Sequence, residues 1–203
     1  MRRVPLAAAA GLALAALSLG CSPTYVYNPA NYAKEYDPRK HEYVIGVGDQ
    51  LRVNVWRMPD LSSEALVRAD GVITMPLIGD VRVAGSTPTQ VREELKRRFS
   101  EFVKDETAVI TVAVTSINSY RFVVSGNVAR AGIYTASHFV SVSEALAMAG
   151  GPNQFASTEQ ILLIRMDSPG KFRQIPINYD DIASRARPEQ DLVLKAGDTV
   201  FVP

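Results

Sequence analysis

The sequence predicts an α+β protein made of two small β-rich units in series, each with one short helix against its strands. Three observations lead there. Short β-prone runs, some strictly alternating, recur through residues 43–203 and are separated by Gly, Asp and Pro turns. Only two stretches carry a strong helix-start signal, at Thr87 and at Ser141. With a single cysteine and two histidines, the chain has no disulfide framework and must rely on packing.

The N-terminus comes first. Arg2 and Arg3 precede an uncharged run from Val4 to Gly20, which ends at Cys21. A basic start, an apolar stretch and a small residue before a cleavage point make residues 1–20 a secretory signal peptide. The rival is a membrane-crossing helix. The run is near the lower limit of about 17–25 residues for that, and Pro5 sits at one end. Cys21 at the junction points to a bacterial lipoprotein, acylated at that thiol and beginning there once mature. Ser18-Leu19-Gly20-Cys21 departs from the commonest lipobox and fits its permissive form. Ser22, where Asp would favour inner-membrane retention, favours the outer membrane in an enterobacterial sorting system.

Residues 21–41 mix prolines and asparagines with Tyr25, Tyr27, Tyr32 and Tyr36, which reads as an extended tether. Three states stay open for these tyrosines: packing on a neighbouring surface, lying at the headgroup level, or a loosely ordered leader. Loss of Arg2 and Arg3 turns the formal charge of +1 into −1. Such a chain has no electrostatic footprint for nucleic acid.

The first unit spans residues 42–115. Gly46-Val47-Gly48-Asp49 is a turn, and Leu51, Val53 and Val55 alternate with polar neighbours as a half-buried strand. Asp70-Gly71 between two β-prone runs predicts a hairpin with a type I′ turn. Pro76 and Gly79-Asp80 punctuate the next turn. Thr87-Pro88-Thr89-Gln90 is a capping box with proline at the first helical position. Val91, Leu95, Phe99 and Phe102 share the apolar stripe, and Lys96, Arg97 and Arg98 read as its solvated face. Ala108 to Val114 is a β-branched strand.

The second unit spans residues 116–203. Tyr120–Ser125 is a strand, Gly126–Gly132 a turn region, and Ile133-Tyr134-Thr135 the returning strand. Ser141-Val142-Ser143-Glu144 is a second capping box, and Gly150-Gly151 stops its helix. Ile161–Ile164 is a buried strand, and Pro176 marks Phe172–Ile177 as an edge. Val200-Phe201-Val202 closes the chain. Gly197-Asp198 echoes Gly48-Asp49, each ahead of a strand, and turn chemistry accounts for both.

The catalytic inventory is thin. His41 and His138 belong to no spaced ligand set, which removes zinc, haem and Cys-His nucleophiles. There is no phosphate-binding G-x-x-x-x-G-K-[ST] loop and no nucleophile elbow around Ser125. Asp180-Asp181 reads as a solvated acidic pair. Neither an enzyme nor a cofactor is expected. For a carbohydrate-binding module, the stacking candidates would be Trp56, Tyr120, Tyr134 and Tyr179, provided they shared one exposed face.

Taken in order, the motifs resemble a known family. Tyr43-Val44-Ile45-Gly46-Val47-Gly48-Asp49-Gln50-Leu51 looks like the opening of the polysaccharide export domain of Wza-type outer-membrane lipoproteins. Val55-Trp56, Asp70-Gly71, the run from Met75 to Val81 and Ala84-Gly85-Ser86-Thr87 continue that pattern. Val124–Val128, Gly132-Ile133-Tyr134, Glu144-Ala145, Ala149-Gly150-Gly151 and Leu194–Asp198 resemble the soluble-ligand-binding β-grasp (SLBB) module that follows. The residues of the family pattern are Gly48, Asp49, Asp70, Gly71, Pro76, Gly79, Gly126, Gly132, Gly150, Gly151, Gly197 and Asp198. Asn127 stands where the family usually has Glu, and Ala131 where it commonly has Pro.

The resemblance implies a small β-rich polysaccharide export domain followed by a β-grasp-like SLBB domain. It implies an outer-membrane lipoprotein facing the periplasm, in a homo-oligomeric ring that passes capsular polysaccharide or exopolysaccharide. An inner-membrane copolymerase would be one partner. The sequence runs to Pro203, just past the first β-grasp unit, and so resembles short members without the C-terminal membrane-spanning helix. A separate outer-membrane channel protein would then complete the conduit. The alternative is a periplasmic carbohydrate-binding or scaffolding lipoprotein with no translocation role.

Overall fold

A computed structural model describes residues 27–32, 35–102 and 109–203; the expected signal peptide and Cys21 lie outside the described residues. A one-turn helix in the leader, α1 (Pro29–Tyr32), comes first. The first unit contains β1 (Gln50–Val55), β2 (Ser63–Leu66), β3 (Val72–Met75), β4 (Gly79–Arg82), α2 (Pro88–Phe99) and β5 (Ile110–Ser116). The second contains β6 (Arg121–Gly126), β7 (Gly132–Thr135), α3 (Val142–Met148), β8 (Ile161–Ser168), β9 (Lys171–Ile177), α4 (Tyr179–Ala183) and β10 (Thr199–Val202). Strands and helices together make the mixed α+β architecture that the patterning predicts.

In the first unit, β1 lies between β2 and β5, antiparallel to both. Leu51, Val53 and Val55 point into the core while Arg52 and Asn54 face outward, as a period of two requires. Helix α2 covers that core with Val91, Leu95 and Phe99. Its cap is reciprocal. The Thr87 hydroxyl accepts from the Gln90 N–H at 3.3 Å, and the Gln90 side chain accepts from the Thr87 N–H at 2.9 Å. Two expectations fail here. Phe102 is exposed, because the helix ends at Phe99 and the chain leaves the helical period. Asp70-Gly71 makes a turn but not a type I′ hairpin. Gly71 alone takes positive φ, at +81°. The Arg68 N–H donates to the Val72 carbonyl, and the Arg68 carbonyl accepts from Gly71. A three-residue loop of this kind needs one left-handed residue, which glycine supplies. Strand β3 then pairs with β4 rather than β2, and the tight hairpin runs around Pro76-Leu77-Ile78.

The second unit is a five-stranded sheet in the order β7-β6-β10-β8-β9. The C-terminal strand β10 inserts between β6, to which it is parallel, and β8, to which it is antiparallel. One face of the sheet packs Phe122, Val124, Leu163, Ile175 and Val200 against Ala145 and Leu146 of α3. Gly126, at φ +88°, lets β6 run close to β10; a Cβ there would drive into the Val202 carbonyl. Pro176 does sit on an edge strand. The second capping box is only half formed. Ser141 Oγ accepts from the Glu144 N–H, but the Glu144 carboxylate turns away to His138 Nε2, 2.8 Å distant.

The described part of the leader is docked rather than loose. Tyr27 is buried in the core of the second unit and its hydroxyl donates to the Glu189 carbonyl at 3.0 Å. Tyr32 stacks on Tyr27 at 5.0 Å, and Tyr36 stacks on His41 at 4.4 Å.

Candidate functional site

The two Gly-Asp turns are built alike. Gly48 and Gly197 take φ of +92° and +87°, which swings the next residue inward. Each aspartate then accepts from the backbone N–H three residues earlier: Asp49 from Gly46 at 2.8 Å, Asp198 from Lys195 at 2.7 Å. Both carboxylates are buried. Turn chemistry alone does not explain that burial, since a turn aspartate ordinarily stays in water. What compensates it differs between the two.

Asp49 holds the seam between the units. Its Oδ1 accepts from the backbone N–H groups of Asn118 and Ser119, both at 2.8 Å. Its Oδ2 accepts from the Tyr43 hydroxyl at 2.6 Å and from Ser119 Oγ at 2.9 Å. With Gly46, these donors fill the lone-pair sites of the carboxylate. Burial raises its pKa, but the hydrogen bonds from Tyr43, Gly46, Ser119 and Asn118 outweigh it and leave the group below the usual range. Tyr43 moves the other way: burial, then its bond to Asp49, push the phenol up. Gly46 is required by the same seam, because a Cβ there would collide with Ser119.

Asp198 clamps the second unit to the leader through Arg165, a buried guanidinium on β8. Arg165 Nε and Nη2 donate to Asp198, Nη2 also to the Val193 carbonyl at 2.8 Å, and Nη1 to Glu35 at 2.7 Å. Glu35 accepts further from Arg173 and from Lys195, both at 3.0 Å. Burial raises the Glu35 pKa; the bonds from Lys195, Arg165 and Arg173 win and hold it at about 2. Sequence reasoning missed Glu35 and Arg165. An arginine in the middle of the apolar strand Ile161–Ser168 was the available signal, since a buried cation needs a partner.

The remaining family-pattern residues shape turns. Gly71, Gly79, Gly150 and Gly151 take positive φ. Gly132 begins β7, and Pro76 opens the β3–β4 loop. Asp70 is exposed and pairs with Arg68 at 2.7 Å. These residues are dispersed along the molecule rather than gathered at one site. Asn127 donates from its backbone to the Val202 carbonyl and from its side chain to the Phe155 carbonyl, so the position that departs from the family pattern closes a loop.

Around the Asp49 seam lie two clefts of about 260 and 400 Å³ that share Tyr43, Tyr120 and Phe139. The four aromatic candidates for sugar stacking do not share an exposed face. Tyr120 is buried, with its hydroxyl bonded to the Leu194 carbonyl and the Val140 N–H. Tyr134 stacks on Phe122, while Trp56 belongs to the first unit. Among the described residues, no cluster of His, Cys, Asp and Glu could hold a metal ion. Among them too, no helix is long and apolar enough to cross a membrane.

Residues 37–115 match the family model of the polysaccharide biosynthesis/export protein, and residues 121–176 match that of the SLBB domain. The EPS I polysaccharide export outer membrane protein EpsA of Ralstonia nicotianae is 29% identical over 184 residues, covering 79% of this chain and 47% of that protein. The capsule polysaccharide export outer membrane protein CtrA of Neisseria meningitidis is 26% identical over 175 residues, covering 77% and 43%. The capsule polysaccharide export protein BexD of Haemophilus influenzae is 24% identical over 175 residues, covering 77% and 42%. The chain thus spans less than half the length of these curated relatives.

Proposed function

Because this chain belongs to the polysaccharide biosynthesis/export family, with an SLBB domain following its export domain, we propose that it is a component of a capsule or exopolysaccharide export machine. The observation that carries this reading is the order of the two matches, together with relatives named for polysaccharide export at the outer membrane. The role is geometric rather than chemical. Copies of the chain form a ring by head-to-tail contacts, the arrangement in which heterologous interfaces close. Polymer passes through the lumen. The first unit faces an inner-membrane copolymerase, and a separate outer-membrane channel protein completes the path.

Lipid on Cys21 holds each copy at the outer membrane. The docked leader supports a short standoff. Only five residues lie between Cys21 and Tyr27, a reach of at most ~22 Å. The membrane surface would therefore lie close to the second unit, where Tyr27 is buried. One acyl chain binds a membrane marginally, so several chains per lipoprotein and several copies per ring provide stable attachment.

The test is a deletion strain complemented with wild type or Cys21→Ala, scored for polymer outside the cell and for the protein in membrane fractions. Wild type restores external polymer and sediments with the outer membrane. Cys21→Ala leaves the outer-membrane fraction and restores little. Normal external polymer in the deletion strain would overturn the export role and leave a binding or scaffolding lipoprotein.

A further inference from the structure

The two units differ in what their open sheet faces show to water. In the first, the outward row across β2, β1 and β5 reads Glu64, Arg52 and Ala113, with Asn54 opposite Thr111 beside it. Arg52 Nε donates to Glu64 at 2.8 Å. That is the polar face expected of a sheet covered on one side only. The outward face of the second sheet is largely apolar, with Thr199, Gln174 and Ser125 as polar positions among the apolar ones. One ladder row runs Ile133, Val123, Thr199, Ile164, Gln174 across all five strands. The next carries Phe201 beside Leu162, and a third pairs Met166 with Phe172. Ile133, Phe172, Met166 and Phe201 are 72%, 65%, 57% and 37% exposed. Arg121 at the start of β6 and Lys171, opposite Ser168 at the far end of β8, supply the charges at its margins.

Together these four side chains leave roughly 500 Å² of apolar surface in water, taking a large side chain at about 200 Å². That is the size of the largest apolar patch a single chain usually shows, and such patches are often interaction sites. The surface is a sheet face rather than a concave pocket, which suits a protein and not a small molecule. Its area is more than half of the ~800 Å² that each side of a standard interface contributes. The chain also carries a second, unequal apolar patch. Trp56, 59% exposed, donates its N–H to the carbonyl of Val109, 60% exposed, at the end of the β1–β5 pair. Two different unpartnered patches on one chain are what a head-to-tail contact requires, whereas a two-fold contact uses one patch twice.

We infer that the open face of the second sheet docks a second copy of this chain through the Trp56–Val109 end of that copy's first unit. This rests on the ring reading above and names its contact surfaces. The full chain in detergent is weighed by light scattering as wild type, Phe172→Asp, Trp56→Asp and the control Arg92→Asp, on the exposed face of α2. The far-UV circular dichroism of all four should coincide, since the changed side chains are exposed and the fold of each chain is kept.

Wild type and Arg92→Asp should assemble, while Phe172→Asp and Trp56→Asp should each fall to the mass of one chain. Mixed together, the two failing variants should give a two-chain species, because each retains the surface the other lacks. Assembly of Phe172→Asp at wild-type mass would overturn the docking face and leave the ring reading standing. Failure of the mixture to pair would overturn the Trp56–Val109 contact. A wild type that stays a single chain would overturn the ring reading and this contact together.

Discussion

Replacing Glu35 with glutamine removes one charge from the leader clamp while keeping its shape and one acceptor. The Glu35 carboxylate accepts from Arg165 at 2.7 Å and from Arg173 and Lys195 at 3.0 Å, and its side chain is 13% exposed. Folding lowers its pKa from 4.5 to about 2. At ~1.4 kcal/mol per tenfold, this corresponds to roughly 3 kcal/mol of stability at neutral pH. Arg173 and Lys195 are about one-third exposed, so solvent screening trims the figure to about 2 kcal/mol. Because the folded pKa is depressed, this contribution is complete above pH 4.5 and is lost as pH falls through about 2. Urea unfolding of wild type and Glu35→Gln at a series of pH values measures it. The gap between them should be about 2 kcal/mol at pH 7, or roughly 4–8 °C in Tm, and should close near pH 2. Amides of residues 35–41 should also exchange faster in the variant. A gap that stays constant with pH, or that is absent at pH 7, would refute the clamp.

Asp49→Ala strands the buried donors of Asn118, Ser119, Gly46 and Tyr43, and urea unfolding should show a loss of about 3–5 kcal/mol. Differential scanning calorimetry should also split its transition, because Asp49 joins the two units. Arg165→Met leaves Asp198 and Glu35 without their shared cation and should cost about 3–5 kcal/mol by the same assay. Gly126→Ala places a Cβ against the Val202 carbonyl at φ +88°, so its Tm should fall by an amount equivalent to about 2 kcal/mol or more. Thr87→Ala removes one half of the α2 cap, and helix stability should drop by about 1 kcal/mol in equilibrium unfolding.

Local physics made much of the fold legible. The α2 capping box, the alternation in β1, the edge placement of Pro176 and the Gly150-Gly151 stop all depend on neighbours a few residues apart. They appear in the structure as the residue types dictate. What the sequence left open depends on distant partners. Asp49 gains its burial from residues 118 and 119, and Asp198 from Arg165 and, beyond it, Glu35. The echo between the two Gly-Asp pairs is visible in the sequence, but only the fold shows that each carboxylate is a hub. Tyr27 looks the same in a loose tether as in a docked strap; its burial decides between them. The Asp70-Gly71 hairpin misleads because a favourable turn dipeptide does not specify which strands pair afterwards. The apolar outer face of the second sheet was equally hidden, since alternation between two apolar faces leaves no contrast to read.

The most direct measurement is where the polymer lies in cells that lack this protein. Total polysaccharide is divided into surface, periplasmic and cytoplasmic fractions in the deletion strain and in the same strain complemented. An export component predicts continued synthesis, at least a tenfold fall at the surface, and polymer retained behind the outer membrane, all reversed by the wild-type chain. Unchanged surface polymer in the deletion strain would contradict an export role for this protein.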